Sequence, residues 1–404
     1  MHKRVLEAGY RFRPPRPSRA WQWLLAPLRR HLVHGMYRVD TIDIRGEQHI
    51  REALDGGGSI MFTMNHPAHG DPFVIIEAMC RLGVSCCYLA AWQVFTGWFG
   101  LKGFAFQRLG AFSVDREGTD LRSFRAAVDV LVEGTHSLVI FPEGEVYHLN
   151  DRLTPLRDGA ATIALAAQRR RSKSGAGPVR IVPCALKYFY LEDPTPILEP
   201  IMTRIERHLY WRPRFDAPLR DRVYRVAEGL LALKELQYTG ELGRGPLHTR
   251  IAALTEHILT VMERRRLGKG GRGTIPERVK TLRHDILAVP EEVPRDAAQP
   301  GDERDLDDLH LVTQLFSYPG DYLVSEPSIE RIAETIDKLE EDALGAVDAG
   351  ARMPRRAVVS FAAPLDLPEP SERRAGRSAA APVTAQIEQA LQDRLDSITA
   401  SAAV

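Results

Sequence analysis

The sequence predicts an α/β fold with a mixed, largely parallel sheet flanked by helices. Short apolar runs suited to buried strands alternate with amphipathic helical segments between residues 40 and 215. Such alternation is typical of parallel strand pairing. The chain has 404 residues, of which 44% are hydrophobic, which is enough for a globular core. Its length predicts two or three units, or one large domain with additions.

The predicted strands and helices follow one another through the first half of the chain. An alternating segment that begins at Val39 predicts the first strand, and apolar runs predict the others. The predicted strands cover residues 39–46, 60–64, 86–90, 110–114, 137–141 and 179–190. The predicted helices cover residues 47–54, 71–82, 121–133 and 159–171. We therefore expect an α/β domain over residues 39–217.

The segment before this domain, residues 1–38, is predicted to be a basic arm followed by an amphipathic helix. Apolar residues from Trp21 to Met36 recur at helical spacing, with Arg29 and Arg30 between them, and two of the chain's five tryptophans lie in this segment. Pro27 is expected to weaken or kink this helix. Indole favours the headgroup boundary of a bilayer and arginine pairs with anionic lipid, so we expect an anionic membrane surface as a partner. The alternative is that the same stripe packs on the protein's own core.

The pattern after Pro218 is mainly helical and predicts a C-terminal extension. A helical part is expected over residues 218–290, and an acidic linker, helices and a partly disordered tail over residues 291–404. The predicted helices cover residues 219–236, 249–266, 276–287, 328–344 and 383–398. The other predicted features are a linker over residues 290–308, a strand over 357–361 and disorder over 364–382.

The net charge of +1 is a cancellation between unlike regions. Residues 1–40 hold nine Lys and Arg against two acids, whereas residues 291–350 hold four against seventeen. The basic end favours an anionic surface, and the acidic stretch is typical of a solvated linker. We expect no nucleic-acid partner.

Cysteine usage and hydropathy predict the compartment. The four cysteines show neither a CxxC pair nor a zinc spacing, which favours a reducing environment. No apolar run reaches 18 residues, so no conventional transmembrane helix is expected. The first 30 residues show no signal-peptide pattern. We expect a cytoplasmic protein that is peripheral on the inner face of the membrane.

The segment NHPAHGD, residues 65–71, follows a predicted strand and contains a candidate acid–base pair. His66 lies at the strand end, and Asp71 lies at the start of the next helix. A carboxylate in this position can hold the imidazole tautomer and stabilise the imidazolium. The alternative is a capping aspartate beside an ordinary loop histidine.

A second polar segment, FPEGE over residues 141–145, follows another apolar strand. Pro142 and Gly144 shape a tight turn that presents Glu143 at the strand end. Ligands bind beyond the carboxyl ends of strands in α/β sheets, so this turn predicts part of a site.

The two remaining segments are GAFSVDR and IVP. The first ends a predicted strand in Arg116, whose guanidinium can bind a phosphate through two parallel hydrogen bonds. The alternative is a surface salt bridge with Asp115 or Asp120. The second segment interrupts a strand with Pro183.

The order of these four segments resembles the four-motif pattern of the glycerolipid acyltransferases. This superfamily comprises the 1-acylglycerol-3-phosphate acyltransferases and glycerol-3-phosphate acyltransferases. The patterns NHxxxxD, GxFxxDR, FPEG and V-P appear here in that order, and the resemblance covers about residues 40–215. It implies transfer of a fatty acyl group from an acyl thioester to the hydroxyl of a glycerol-phosphate or lysophospholipid-type acceptor.

The resemblance also implies a role for each matching residue. His66 would be the general base and Asp71 its orienter, and the activated oxygen would attack the thioester directly without a covalent acyl-enzyme. Acyl-CoA or acyl carrier protein would be the co-substrate, and no metal or other cofactor is implied. The implied substrate-binding residues are Arg116 for the acceptor's phosphate, Glu143 and Gly144 for the glycerol or phosphate, and Pro183 for the acyl side.

Two positions depart from the family's pattern. Ala68 stands where the family often has serine, and Glu145 stands where the third motif often ends in serine or threonine. A carboxylate beside a phosphate site is unfavourable unless it is paired. An acceptor less anionic than lysophosphatidic acid would suit Glu145 better.

Two other interpretations stay open from the sequence. The segment HPAHGD could hold a metal through His66, His69 and Asp71, but its HxxHxD spacing departs from the HxHxDH of metallo-β-lactamase-like hydrolases, so we expect no metal. The chain could also be a non-catalytic lipid-binding or scaffolding protein that keeps the fold and uses its C-terminal half for partners. The sequence predicts no oligomeric state.

Overall fold

The computed structural model describes residues 10–55, 57–96, 100–116, 120–287, 300–324, 326–345, 349–369 and 377–402. The chain divides into two compact units. The first unit comprises residues 1–192 and 351–404, and the second comprises residues 193–350. The end of the chain therefore belongs to the same unit as the predicted catalytic segments.

The first unit contains all the described strands. They are β1 (Val39–Arg45), β2 (Ser59–Met64), β3 (Cys86–Ala91), β4 (Ala111–Val114), β5 (Ser137–Ile140), β6 (Val179–Tyr190), β7 (Arg355–Phe361) and β8 (Leu365–Asp366). Its helices are α1 (Arg19–Leu24), α2 (Ala26–His31), α3 (Glu47–Asp55), α4 (Asp71–Arg81), α5 (Leu101–Arg108), α6 (Leu121–Glu133), α7 (Gly159–Lys173) and α14 (Arg377–Ala402). A π-helical turn covers Leu32–Met36, and a 3₁₀ turn covers Trp92–Phe95.

These strands form one sheet in the order β1-β7-β6-β2-β5-β3-β4, with β8 beside β6. Pairing is parallel between all neighbours along this path except β6 and β7, which are antiparallel, as are β6 and β8. The predicted mixed, largely parallel sheet flanked by helices is therefore confirmed. Because β2, β3, β4 and β5 are mutually parallel, their carboxyl ends lie at one edge of the sheet.

Side chains alternate between the two faces of the sheet, and both faces are covered. In β2 every residue is buried, with Phe62 facing the core built with α4 and Met61 facing the core built with α6, α7 and α14. A strand that is buried on both faces is expected to be apolar throughout, as Ile60–Met64 largely is. The C-terminal helix α14 thus covers one face of this sheet.

The N-terminal segment differs from the single helix predicted over residues 21–37. The helix ends at Leu24, and α2 begins at Ala26 with Pro27 in its first turn, where proline is tolerated. Arg29 was predicted on the polar face, but it is buried and pairs with the buried Glu77 of α4 at 2.8 Å. One of the arginines therefore anchors the segment to the core.

Two predictions for the C-terminal region are wrong in part. The predicted linker over 290–308 lies in α12 from residue 300 onward, where acidic residues in the first turn suit the positive end of the helix dipole. The predicted disorder over 364–382 is contradicted by β8 and by the first turns of α14, in which Ala380 is buried. Residues 288–299 and 370–376 lie outside the described residues.

The second unit is helical. Its helices are α8 (Thr195–His208), α9 (Leu219–Thr239), α10 (Leu247–Leu267), α11 (Ile275–Leu287), α12 (Pro300–Ser317) and α13 (Ile329–Leu344). Apolar residues of α9 to α12 form its core, as the predicted helical periodicity requires. In the parts of the chain that the structure describes, no helix has the length and apolar character needed to span a bilayer.

Lys338 of α13 gives this unit an expected pH dependence. The side chain is buried and donates to the carbonyl of Ser317, and burial lowers the pKa of its amine to about 8. An unfolded lysine titrates near 10.4, so between these values the unfolded chain binds more protons. The free energy of unfolding should therefore rise from about pH 8 to about pH 10, by up to about 1.4 kcal/mol per pH unit.

Urea unfolding at several pH values measures that slope, followed by Trp211 fluorescence in a background whose other four tryptophans are replaced by phenylalanine. Lys338→Met should remove the Lys338 contribution, whereas Lys280→Met, at an exposed position, should keep the slope of the wild type. The same slope in wild type and Lys338→Met would contradict the assignment.

Candidate active site

Three of the predicted site segments meet at one edge of the sheet because they follow parallel strands. His66 comes just after β2, Phe141 directly follows β5, and Arg116 comes shortly after β4. Their loops therefore converge on the edge where ligands bind in α/β sheets. The parallel direction of the strands therefore places His66, Phe141 and Arg116 at this edge.

His66 and Asp71 form the predicted pair. The Nδ1 atom of His66 lies 2.7 Å from Oδ2 of Asp71. Asp71 is fully buried, whereas 16% of the His66 side chain is exposed. With Nδ1–H donating to the carboxylate, Nε2 is the ring nitrogen that can accept a proton. This is the geometry of a base held in one tautomer by an orienting carboxylate.

Asp71 is held by further hydrogen bonds. The Ala68 backbone N–H donates to Oδ2 at 2.9 Å, and the Tyr188 hydroxyl donates to Oδ1 at 2.6 Å. Burial and the neighbouring Asp71 raise the pKa of Tyr188 well above its usual value, which keeps the hydroxyl protonated as a donor. Asp71 also begins α4, where the helix dipole favours a negative charge.

Tyr188 was not predicted as a site residue. It lies in β6, beyond the part of that strand that pairs with β2. Side chains alternate between the two faces of β6, so Tyr188 lies on the α4 face together with Leu186. This alternation is the feature of the sequence that could have indicated its position. The segment that contains Asp71 does not predict this contact, because Asp71 and Tyr188 are far apart in the chain.

Two asparagine side chains hold this extension of β6 by bonding to its backbone. Asn65 exchanges two hydrogen bonds with Leu186, through its Oδ1 at 2.7 Å and its Nδ2 at 2.8 Å. Asn150 does the same with Tyr188 at 2.8 Å for both bonds. Amide side chains thus replace strand pairing beyond the end of β2, which satisfies buried backbone groups and positions Tyr188.

Glu143 lies in the turn after β5, as predicted, and its carboxylate contacts protein groups. It is buried, and its Oε1 accepts the backbone N–H of His66 at 2.8 Å, while Oε2 accepts from the backbone and hydroxyl of Thr154. Burial raises the pKa of Glu143, and the hydrogen bonds from Thr154 and His66 oppose that rise. Both oxygens are therefore engaged by the protein, and Glu143 fixes the backbone of the base.

The His66 ring also lies against Phe141. The two rings stack with centroids 4.3 Å apart and planes 29° apart. This contact and the Asp71 bond together restrict the orientation of the imidazole, so that the proton-accepting nitrogen has a defined position.

Gly144 allows the turn after Phe141 to form. Its φ of +78° favours glycine, and an added Cβ would lie 2.7 Å from Nε of Arg157. Arg116 donates to the Gly144 carbonyl, and its Nη1 lies 3.4 Å from Oε2 of Glu145. The predicted Arg116 therefore reaches the FPEGE turn, where its ion-pair partner is Glu145.

Gly70 is fixed by packing of the N-terminal segment. A Cβ at this position would lie 2.7 Å from the Tyr37 ring, and Tyr37 stacks on Phe73 of α4 with centroids 5.6 Å apart. The segment before the sheet therefore packs on the loop that joins His66 to Asp71.

Pro183 and His69, the remaining residues considered from the sequence, differ in environment. Pro183 is buried in β6 opposite Thr63 of β2, and its carbonyl accepts the Ala362 N–H at 2.8 Å. His69, considered above as a metal ligand, is exposed, and its ring lies edge-on to that of His148 with centroids 5.3 Å apart.

A comparison with protein families finds a match within this sheet domain. Residues 41–187 match the family model described as Acyltransferase, a little over a third of the chain. The match supports the glycerolipid acyltransferase superfamily for this part of the chain, and with it a general acyltransferase activity. No curated protein matches the chain.

Proposed function

We propose that the protein transfers a fatty acyl group from an acyl thioester to a hydroxyl of a glycerol-phosphate or lysophospholipid-type acceptor. The observation that carries the proposal is the His66–Asp71 pair, 2.7 Å apart, with a buried carboxylate and a partly exposed imidazole. Transfer of an acyl group from a thioester sulfur to a hydroxyl oxygen needs a positioned base that removes the hydroxyl proton, and this pair supplies one.

The proposed step requires no covalent enzyme intermediate. Nε2 of His66 takes the proton of the acceptor hydroxyl as its oxygen attacks the thioester carbonyl. The carbon–sulfur bond then breaks, and the imidazolium returns the proton to the leaving thiolate of coenzyme A or acyl carrier protein. Asp71 stabilises the imidazolium in between.

The other site residues take supporting roles in this proposal. Glu143 holds the His66 backbone through the hydrogen bond described above, and Arg116 faces the turn at which the acceptor's phosphate would bind. Gly144 permits this turn by its positive φ. Pro183, buried in β6, remains a prediction for the acyl-binding side.

Release of free coenzyme A from acyl-CoA, measured with a panel of lysophospholipids and glycerol 3-phosphate, tests the proposal. Turnover by the wild type that falls by at least about a hundredfold in His66→Ala supports it. Turnover that is indifferent to this change would exclude His66 as the base. A wild type that binds lipid but shows no turnover on any acceptor, with either acyl-CoA or acyl carrier protein as donor, would favour the alternative of a non-catalytic lipid-binding or scaffolding protein.

We also propose that the protein is cytoplasmic and binds peripherally to an anionic membrane surface, the inner face of the membrane. Trp23, Leu24 and Leu28 of α1 and α2 are 80%, 57% and 54% exposed. Arg30 of α2 is also largely exposed, and residues 10–38 contain seven arginines and no acid. Exposed indole and leucine within a basic segment suit a lipid interface.

Sedimentation with vesicles that contain anionic lipid tests this proposal. Trp23→Ala combined with Leu28→Ala should reduce the bound fraction, and Leu242→Ala, an exposed leucine of the second unit, serves as the control. Equal sedimentation of the double variant and the wild type would contradict the assignment of this surface.

A further inference from the structure

We infer that the paired charges of Arg116 and Glu145 select a zwitterionic lysophospholipid over a phosphomonoester as the acyl acceptor. This inference rests on the proposed function and names the acceptor class. Nη1 of Arg116 lies 3.4 Å from Oε2 of Glu145, and about a third of each side chain is exposed. The pair therefore presents a positive and a negative group to solvent side by side.

Glu145 belongs to the turn that positions the base, and Arg116 contacts this turn. Phe141, at the start of the turn, stacks on His66, and Glu143 bonds to the His66 backbone. Glu145 ends the same five-residue turn, and Arg116 is held against it by its hydrogen bond to the Gly144 carbonyl. A ligand that reaches His66 along this turn meets both charges.

Electrostatics of the turn disfavour a doubly charged phosphate. Glu143 is buried with both oxygens bonded, so Glu145 is the carboxylate of this turn that faces solvent. A phosphomonoester bound to Arg116 would lie within a few ångströms of the Glu145 carboxylate, where like charges repel. Such repulsion is a common basis of specificity.

A phosphodiester that carries an ammonium group complements the same pair. Its single negative charge suits the Arg116 guanidinium, and its cation suits the Glu145 carboxylate. In phosphoethanolamine and phosphocholine groups two carbons separate the charges, so neighbouring side chains can contact both at once. Glu145 thereby becomes a specificity-determining residue for the headgroup.

The neighbouring Arg157 predicts what removal of the carboxylate would do. Its guanidinium packs on Gly144, and it forms a hydrogen bond with Tyr147. Burial and the nearby Glu145 raise the pKa of Tyr147 to about 12, and Arg157 opposes this rise. With Glu145 neutral, the turn would carry two guanidinium groups and no solvent-facing carboxylate. Two guanidinium groups favour a dianionic phosphate.

The test compares kcat/KM for lysophospholipids that share one acyl chain. The acceptors are lysophosphatidylethanolamine, lysophosphatidylcholine, lysophosphatidylglycerol and lysophosphatidic acid, with acyl-CoA as donor. The wild type should prefer the zwitterionic acceptors to lysophosphatidic acid by at least about tenfold. Glu145→Gln should reduce that ratio at least about tenfold, and lysophosphatidylglycerol, which lacks the cation, should change least.

Glu192→Gln, at an exposed acid outside the turn, should keep the wild-type ratio. A wild type that prefers lysophosphatidic acid, or a Glu145→Gln variant with an unchanged ratio, would overturn the inference. Equilibrium dialysis of each lysolipid at submicellar concentration gives the same ratio from binding alone. If turnover is absent with every acceptor, the proposed function fails, and the binding ratio of wild type and Glu145→Gln still decides the role of the pair.

Discussion

Asp71→Asn is expected to lower kcat for acyl transfer by about a hundredfold to ten-thousandfold. Oδ2 of Asp71 accepts from both His66 Nδ1 and the Ala68 N–H, so an amide nitrogen there would oppose two donors. If the amide turns the other way, its nitrogen faces the Tyr188 hydroxyl and the carbonyl oxygen faces His66. In both orientations the negative charge that stabilises the imidazolium is lost.

Single-turnover acyl transfer at saturating acyl-CoA measures this effect on the chemical step. Tyr188→Phe is the matched control, because it removes one hydrogen bond to Asp71 and keeps the carboxylate. We expect it to cost about tenfold or less, through a less firmly held orienter. The loss in a variant that combines His66→Ala with Asp71→Asn should be no greater than that in His66→Ala, since the two residues act as one unit. An Asp71→Asn variant within tenfold of the wild type would contradict this role.

The sequence allows the contact between His66 and Asp71 to be predicted because the two residues are close in the chain. A buried strand ends before His66, and a helix starts at Asp71, so five residues suffice to bring the side chains together. The convergence of Arg116 on the FPEGE turn also follows from the sequence, once the strands are known to be parallel. The Arg116 contact also depends on the strand order, because only β3 separates β4 from β5 in the sheet.

Glu143 shows where prediction from a motif ends. A charged residue in a strand-end turn is expected to meet a ligand, but here the His66 N–H and Thr154 satisfy both carboxylate oxygens. Whether such a carboxylate faces solvent or protein depends on donors from other loops. Those donors are brought close by tertiary packing, which one sequence does not reveal.

The position of β7 shows a similar limit for the fold. A strand over residues 357–361 is predictable from its apolar run, but its neighbours are not. It lies between β1, which it pairs in parallel, and β6, which it pairs antiparallel. Both partners lie in the first half of the chain, and strand pairing over such a separation depends on the packing of all the elements between. The Acyltransferase match ends at residue 187, before this strand.

The insertion of β7 predicts that Phe361→Ala will strongly destabilise the first unit. Phe361 is fully buried and meets Phe62 of β2 edge-on, with centroids 5.7 Å apart. Removal of a buried phenylalanine ring leaves a cavity and typically costs about 3–5 kcal/mol. We expect a loss of this size in the free energy of unfolding, although the substitution lies outside the residues that match the Acyltransferase model.

Urea unfolding followed by tryptophan fluorescence measures the loss, because four of the five tryptophans lie before residue 193 and so report mainly on the first unit. Leu54→Ala, at a half-exposed position of α3, should cost less than about 1 kcal/mol. If Phe361→Ala cost no more than Leu54→Ala, β7 could not be an integral strand of the sheet. A large loss would instead mean that the sheet edge with His66 and Asp71 depends on β7, since β7 supports the same β6 that carries Tyr188 to Asp71.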